Sequence, residues 1–333
     1  MPAPLAWAPA GPAPSCASDP RRPRVTKVSP PGVYRPGMPN RPRSAVRFPR
    51  SRLALAFAAL AGLSGCAEHS PHPLPEGAFL VQDRALSEMS GLEASVRDPG
   101  VLWSINDSGS RPRLFRLGRR GEDLGRVDVR GTSWLSNDWE TLAVWREGGT
   151  DWLLLGDVGD NRERRKHVNV YAVREPAPGA TEATVEWTLR FRYPDGPRDA
   201  EGITVDPATG SLLVLSKRES PQRLYRVPLS ARDHAEPVVA EPIAVMPPMS
   251  AQATGLDITH DGRALVVLTY AAVYVWPRAD GQEWPQALAT PPQRRALPPM
   301  SKAEAMATGP EPGVVYVGSE RLPTPLLPLR LGP

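Results

Sequence analysis

From residue 77 onward the chain alternates short apolar runs with clusters of Gly, Pro, Asp and Asn, and apolar residues never keep helical spacing over ten or more positions. The runs are rich in Val, Leu, Trp and Tyr, which reads as a succession of strands and turns. Stacked on one another, they repeat. A first column reads Ser90-Gly91-Leu92, Glu140-Thr141-Leu142, Glu201-Gly202-Ile203, Thr254-Gly255-Leu256 and Glu304-Ala305-Met306, at steps of 50 to 61 residues. A second column holds apolar runs ending in a polar residue: VLWSIND (101–107), WLLLGD (152–157), LLVLSK (212–217), ALVVLTY (264–270) and VVYVGSE (314–320). Third runs follow (RLFRL, VNVYAV, RLYRV, VYVWP, LLPLRL), then fourth runs at GRVDVR, VEWTLRFRY, PVVAEPIAV and, more weakly, QRRAL. Four antiparallel strands per unit of about 40–60 residues is the pattern of a β-propeller blade.

The last unit, 304–333, is too short for four strands, and residues 77–89 supply the missing length. The expected fold of 77–333 is therefore an all-β propeller of five four-stranded antiparallel blades. The N-terminal strand closes the ring against the C-terminal strands and removes the free sheet edges. A sixth blade fits only if the 61-residue unit and the N-terminal strand hold further strands. In such a ring the inner strand starts, and the second strand ends, on one face. The two columns then meet at one mouth of the central channel, bringing together Ser90, Glu140, Glu201, Thr254 and Glu304 with Asp107, Asp157, Lys217, Tyr270 and Glu320. Neighbouring loops add Asn106, Asp160 and Asn161.

Like-charged carboxylates at close range either take up protons or bind a cation. Oxygen donors without His or Cys suit Ca²⁺ or Mg²⁺, so Glu140, Glu201, Glu304 and Asp157 are the expected ligands. The same glutamates would equally serve as fasteners, hydrogen-bonded to backbone where each blade begins. The string GDVGDNR (156–162) fits a tight turn or an oxygen-rich ion loop. Arg162, Arg164, Arg165 and Lys166 follow it, and Lys217, Arg218 and Arg321 occupy equivalent loops; they fit an anionic ligand or a solvated charge run. No GxSxG, HExxH, P-loop or GxGxxG string is present. His167, His234 and His260 stand singly, which argues against a His-based triad. Candidates for catalysis are Glu140 or Asp160 as general base, with Lys217 to position an anion. Trp139, beside Glu140, suits blade packing or a stacking surface.

Composition separates this body from its leader. Of the 41 prolines, 13 fall in residues 1–52, together with ten Lys/Arg against the single acid Asp19. The remaining 267 residues carry 30 basic and 35 acidic side chains, so the net +4 belongs to the leader. The body lacks the cationic excess that binds phosphate backbones, and no nucleic-acid partner is expected. Residues 1–37 read as Pro-rich disorder or an extension ahead of a true start at Met38. A basic stretch (41–52), an apolar run (Leu53 to Leu63) and Ser64-Gly65-Cys66 form an export signal over 38–66. The apolar run is shorter than the roughly 20 residues a membrane span needs. Both cysteines, Cys16 and Cys66, precede the body, which therefore has no disulfide framework. Leu63-Ser64-Gly65-Cys66 resembles the bacterial lipobox, which implies lipid on Cys66 and anchoring at the periplasmic face of the outer membrane. Residues 67–76 (AEHSPHPLPE) then form a tether to a monomeric domain.

In combination, NDSG (106–109), DWE (138–140), GDVGDNR, YPDG…DAEG (193–202), SK (216–217), TGLD (254–257), TY (269–270), AEA (303–305) and SE (319–320) resemble a family of exported bacterial β-propeller proteins. Members are often lipoproteins and have no assigned activity. The resemblance covers 77–333 and extends more distantly to SdiA-regulated, esterase-like phytase and gluconolactonase-type propellers. In the last of these a metal at the channel mouth, held by acidic and Asn side chains, supports lactone hydrolysis. This chain keeps the carboxylates without that full ligand set. Two functions follow as expectations: a lipid-anchored module binding a small anionic ligand or an envelope protein with a divalent cation (Ca or Mg), and a metal-dependent hydrolase of phosphate or lactone esters.

Overall fold

A computed structural model describes residues 74–133 and 137–332. Five sheets are arranged as blades around a channel. From inside outward, blade 1 holds Met89–Ala94, Val101–Asn106, Arg113–Gly118 and Asp123–Arg130; blade 2 holds Trp139–Glu147, Thr150–Asp157, Val168–Arg174 and Trp187–Arg192. Blade 3 holds Ala200–Asp206, Ser211–Ser216, Arg223–Pro228 and Glu241–Val245, and blade 4 holds Ala253–Ile258, Ala264–Thr269, Ala272–Pro277 and Gln293–Ala296. Blade 5 takes Ala303–Thr308, Val314–Ser319 and Pro325–Arg330 from the C-terminal end and completes itself with Phe79–Leu80. Phe79 pairs with Leu326 and Leu80 with Pro325, antiparallel, as ring closure requires. Beyond that strand, Gln82 N–H donates to Gly121 O (2.8 Å) and Asp83 takes two bonds of 2.5 Å from Arg126, so the same segment also ties blade 5 to blade 1.

Five is the blade number. The extra length of the 61-residue unit forms no sixth blade. It includes Glu182–Thr184, which leaves its own blade and pairs in parallel with the outer strand of blade 1, Asp128 opposite Glu182. Blade 3 does likewise: Val238–Val239 pairs in parallel with the outer strand of blade 2. The run PVVAEPIAV, expected as one strand, is thereby divided between two blades. Pro237 and Pro242 bracket the crossing and have no N–H to give to a continuous ladder.

Apolar packing explains why the second strands read as unbroken hydrophobic runs. Among the described residues there are five buried clusters, each shared by two neighbouring blades, so these strands are covered on both faces. Between blades 1 and 2 lie Trp103, Leu114, Trp139 and Leu155; between blades 2 and 3, Leu189, Phe191, Leu212 and Tyr225. Full burial of each such side chain contributes about 1.5–3 kcal/mol. Trp139 is thus a packing residue, 2% exposed, and not a stacking surface at the mouth. Helix is confined to Leu229–Ala231 and Trp284–Leu288 among the described residues, none long or apolar enough to cross a membrane. The 1–37 extension, the 38–66 signal with Cys66, and the tether up to residue 73 lie outside the described residues.

Candidate site at the channel mouth

Every inner strand carries a bulge at one equivalent point. The ladder slips between Met89 and Gly91, Trp139 and Thr141, Ala200 and Gly202, Ala253 and Gly255, and Ala303 and Ala305. The residues passed over are Ser90, Glu140, Glu201, Thr254 and Glu304, the whole first column. A bulge leaves its extra residue out of the ladder and re-aims its side chain. In blades 1 and 3 the residue after it is glycine because the inner strands crowd there: a Cβ on Gly202 would lie 2.5 Å from Leu256 Cβ in the next blade, and one on Gly91 2.8 Å from Ile105 Cγ1.

The second column resolves differently. Met89 pairs with Asn106, Ala200 with Ser216, Ala253 with Thr269, and Ala303 with Ser319, so Asp107, Lys217, Tyr270 and Glu320 each lie one residue beyond the pair. In blade 2 the pair is Trp139 with Asp157, which makes buried Val158 the equivalent of those four. Asp157 is one register short of the place the sequence columns assign to it. Its oxygens accept from both terminal nitrogens of Arg165 (2.8 and 2.9 Å), Asn169 Nδ2 (3.0 Å), Tyr171 Oη (3.3 Å) and Asp138 N–H (2.9 Å). That fully engaged carboxylate organises the turn.

One half of the mouth is an acidic cluster. Asp107, at the end of blade 1, meets Asp138 and Glu140, at the start of blade 2, and one carboxylate oxygen from each lies within 4.8 Å of the others. Asp107 accepts Ser108 N–H, whereas no described residue donates a hydrogen bond to the carboxylates of Asp138 or Glu140. Glu140 is 5% exposed, and burial, then the charges of Glu201, Asp107 and Asp138, push its carboxyl well above the usual range. Burial, then Asp107, raises Asp138 to about 6. Gly159 of GDVGDNR lets the loop backbone close over this pair: a Cβ there would stand 2.6 Å from both Asp138 Oδ2 and Glu140 Oε1. Asp138 was not among the sequence candidates, although it opens the DWE string.

The other half is partly neutralised from within. Lys217 Nζ donates to Glu201 and lies 3.9 Å from Glu304, and Tyr270 Oη donates to Glu304 Oε1 at 2.7 Å. Burial works against the charged lysine, but the Glu201 carboxylate outweighs it and holds the ammonium protonated. Burial raises Glu304, and the Tyr270 hydroxyl opposes that rise. The fastening role imagined for the glutamates falls to the two hydroxyl residues of the same column. Ser90 Oγ donates to Trp139 O (2.8 Å) and Thr254 Oγ1 to Ala303 O (2.7 Å), each in the next blade. Further along the inner strands, Asp257 accepts Thr308 N–H (2.7 Å), Thr308 Oγ1 (2.8 Å) and Thr204 Oγ1 (3.2 Å), joining blades 3, 4 and 5.

The remaining candidates divide between structure and surface. Asp160 accepts Arg165 N–H at 2.7 Å within the turn. Asn161 accepts from Arg218, which also holds Asp199 (2.7 Å). Arg162, Arg164 and Lys166 are exposed on the loop beyond Gly159. Asn106 binds the N-terminal segment, accepting Glu88 N–H (3.1 Å) and donating to Ala85 O (2.8 Å). Glu320 pairs with Lys302 (2.6 Å).

Known proteins add little to this geometry. No family model matches the chain. Over 82 residues it is 34% identical to the inorganic pyrophosphatases of Homo sapiens and Mus musculus, and it spans only a quarter (25%) of the length of these curated relatives and a quarter of its own. The structure of the major Malassezia sympodialis allergen Mala s 1 aligns with a TM-score of 0.49 and 11% identity, over 76% of this chain and 95% of that one.

Proposed function

We propose that this protein is a lipid-anchored envelope β-propeller that binds a small anionic ligand or an envelope protein at its mouth, through one divalent cation held by Asp107, Asp138 and Glu140. The observation that carries the reading is Glu140: a buried carboxylate without a hydrogen-bond donor among the described residues, facing two more carboxylates. A three-carboxylate donor set without nitrogen or sulfur fits Ca²⁺ or Mg²⁺. When bound, such an ion supplies positive charge and Lewis acidity at the mouth. Gly159 keeps space beside the carboxylates, and the exposed Arg162, Arg164 and Lys166 favour an anionic partner. The address rests on the leader, where a basic stretch and an apolar run precede Leu63-Ser64-Gly65-Cys66.

A hydrolase of phosphate or lactone esters is the second reading, favoured by the same donor-free carboxylate. Glu140 would then take the proton of an attacking water, a role it fits better than Asp160, which the turn engages. One experiment addresses both. The full chain, purified in detergent, is melted in EDTA and again with excess Ca²⁺ or Mg²⁺. A hundredfold excess over Kd raises stability by about 2.7 kcal/mol, and Glu140→Gln abolishes the rise. Identical melts with and without cation refute the site. Ester turnover that Glu140→Gln removes without unfolding the chain selects the hydrolase.

A further inference from the structure

The second half of the mouth is partly neutralised because a side chain has entered it. The Lys217 ammonium contacts Glu201, stands 3.9 Å from Glu304 Oε1 and lies 5.5 Å from the centre of the Tyr270 ring. Lys217, Glu201 and Glu304 side chains are only 6%, 7% and 13% exposed. Lysine is almost never buried this deeply unless carboxylates surround its charge. Two carboxylates around one positive charge make a cation position whose occupant is tethered. Its ligands are bulge residues of blades 3 and 5, the counterparts of Glu140 in blade 2. The position that delivers the lysine is the one that delivers Asp107 to the acidic half, one residue past the last ladder pair.

We propose that the mouth contains two cation positions and that Lys217 fills the second from within, limiting the mouth to a single divalent ion and withholding Glu201 and Glu304 from it. The first position rests on the reading given under Proposed function; the second stands on the ion pair itself. A tethered group acts at an effective concentration of millimolar order or above, so dilute free cation does not displace it.

Calorimetric titration of the full chain with Ca²⁺ tests this, using Lys217→Gln and the charge-matched Lys217→Gln/Glu201→Gln. The expected stoichiometries are one ion for the parent, two for the single variant and one for the double variant. The single variant should melt lower than the parent in EDTA and gain more in Ca²⁺ than the parent does, an excess that loss of packing alone does not produce. A single variant that binds no more Ca²⁺ than the parent overturns the proposal, as does a double variant that keeps the extra ion. A single variant that stays unfolded in saturating Ca²⁺ also overturns it, since the ion then fails to replace the ammonium. If the parent binds none, the acidic-half reading falls on its own, and one ion in Lys217→Gln against none in the parent still supports the tethered cation.

Discussion

Asp107 with Glu140, and Tyr270 with Glu304, occupy matching places in the ring: the residue just past a second strand meets the bulge residue of the following blade. Across from Glu304 stands a hydroxyl that donates at 2.7 Å, and a lysine adds its charge nearby. Across from Glu140 stands another carboxylate, with Asp138 as a third. The bulge and the strand pairing are the same device in both places, so the contrast lies chiefly in side-chain chemistry. One glutamate finds its proton donor inside the fold, whereas the other is left to a proton or an ion from solution.

The strongest way to break the contrast is Gly159→Ala, which sets a methyl against both carboxylates of the acidic half. It should lower stability by about 1–3 kcal/mol, the range for overpacking, and remove the cation-dependent rise in Tm. A substituted chain that melts like the parent and still responds to cation would show that the loop stands off the site.

Acid titration gives the next largest effect. Asp138 rises from its ordinary 3.8 to about 6, so its neutral form stabilises the fold. That contribution is complete below about 3.8 and is lost as the pH climbs through 6. Nominally worth about 3 kcal/mol, it should amount to about 1–2 kcal/mol at this partly solvated group. Melts in EDTA should fall between pH 4 and 7, Asp138→Asn should flatten the slope, and cation affinity should rise over the same interval. A flat profile in the parent would remove the electrostatic half of the comparison.

Tyr270→Phe sharpens it from the other side. Losing one hydrogen bond to a carboxylate that Lys217 still accompanies should cost about 1 kcal/mol, with the cation response intact. Smallest of all, Ser90→Ala and Thr254→Val should each cost about 0.5–1 kcal/mol and leave both halves of the mouth in place. Either change that abolishes cation binding would assign the fasteners a role in the site.

Much of this architecture was readable from spacing. The first column is the set of bulge residues, because a structural irregularity repeated in every blade leaves a repeated trace. The closing strand was readable too, from the shortfall in the last unit. What escaped were features decided by one residue or by distant partners. Aligning strands on their last polar residue placed Asp157 beside Asp107, and only pairing reveals that Val158 holds that place. Glu182–Thr184 and Val238–Val239 are too short to declare which blade they join. Lys217 was visible as a cation near carboxylates, but its insertion beside Glu201 depends on how blades 3, 4 and 5 converge.

The crossing strands act as hoops on a barrel of staves. Backbone hydrogen bonds along the outer rim bind blade 5 to 1 through the N-terminal segment, blade 1 to 2 through Glu182–Thr184, and blade 2 to 3 through Val238–Val239. Among the described residues no strand crosses to or from blade 4, whose links run through side chains, with Asp257 and Thr254 at its inner edge. The mutually repelling carboxylates of Asp107, Asp138 and Glu140 therefore sit in the girdled sector, where the rim resists spreading. The ungirdled sector is the one whose repulsion Lys217 and Tyr270 already relieve.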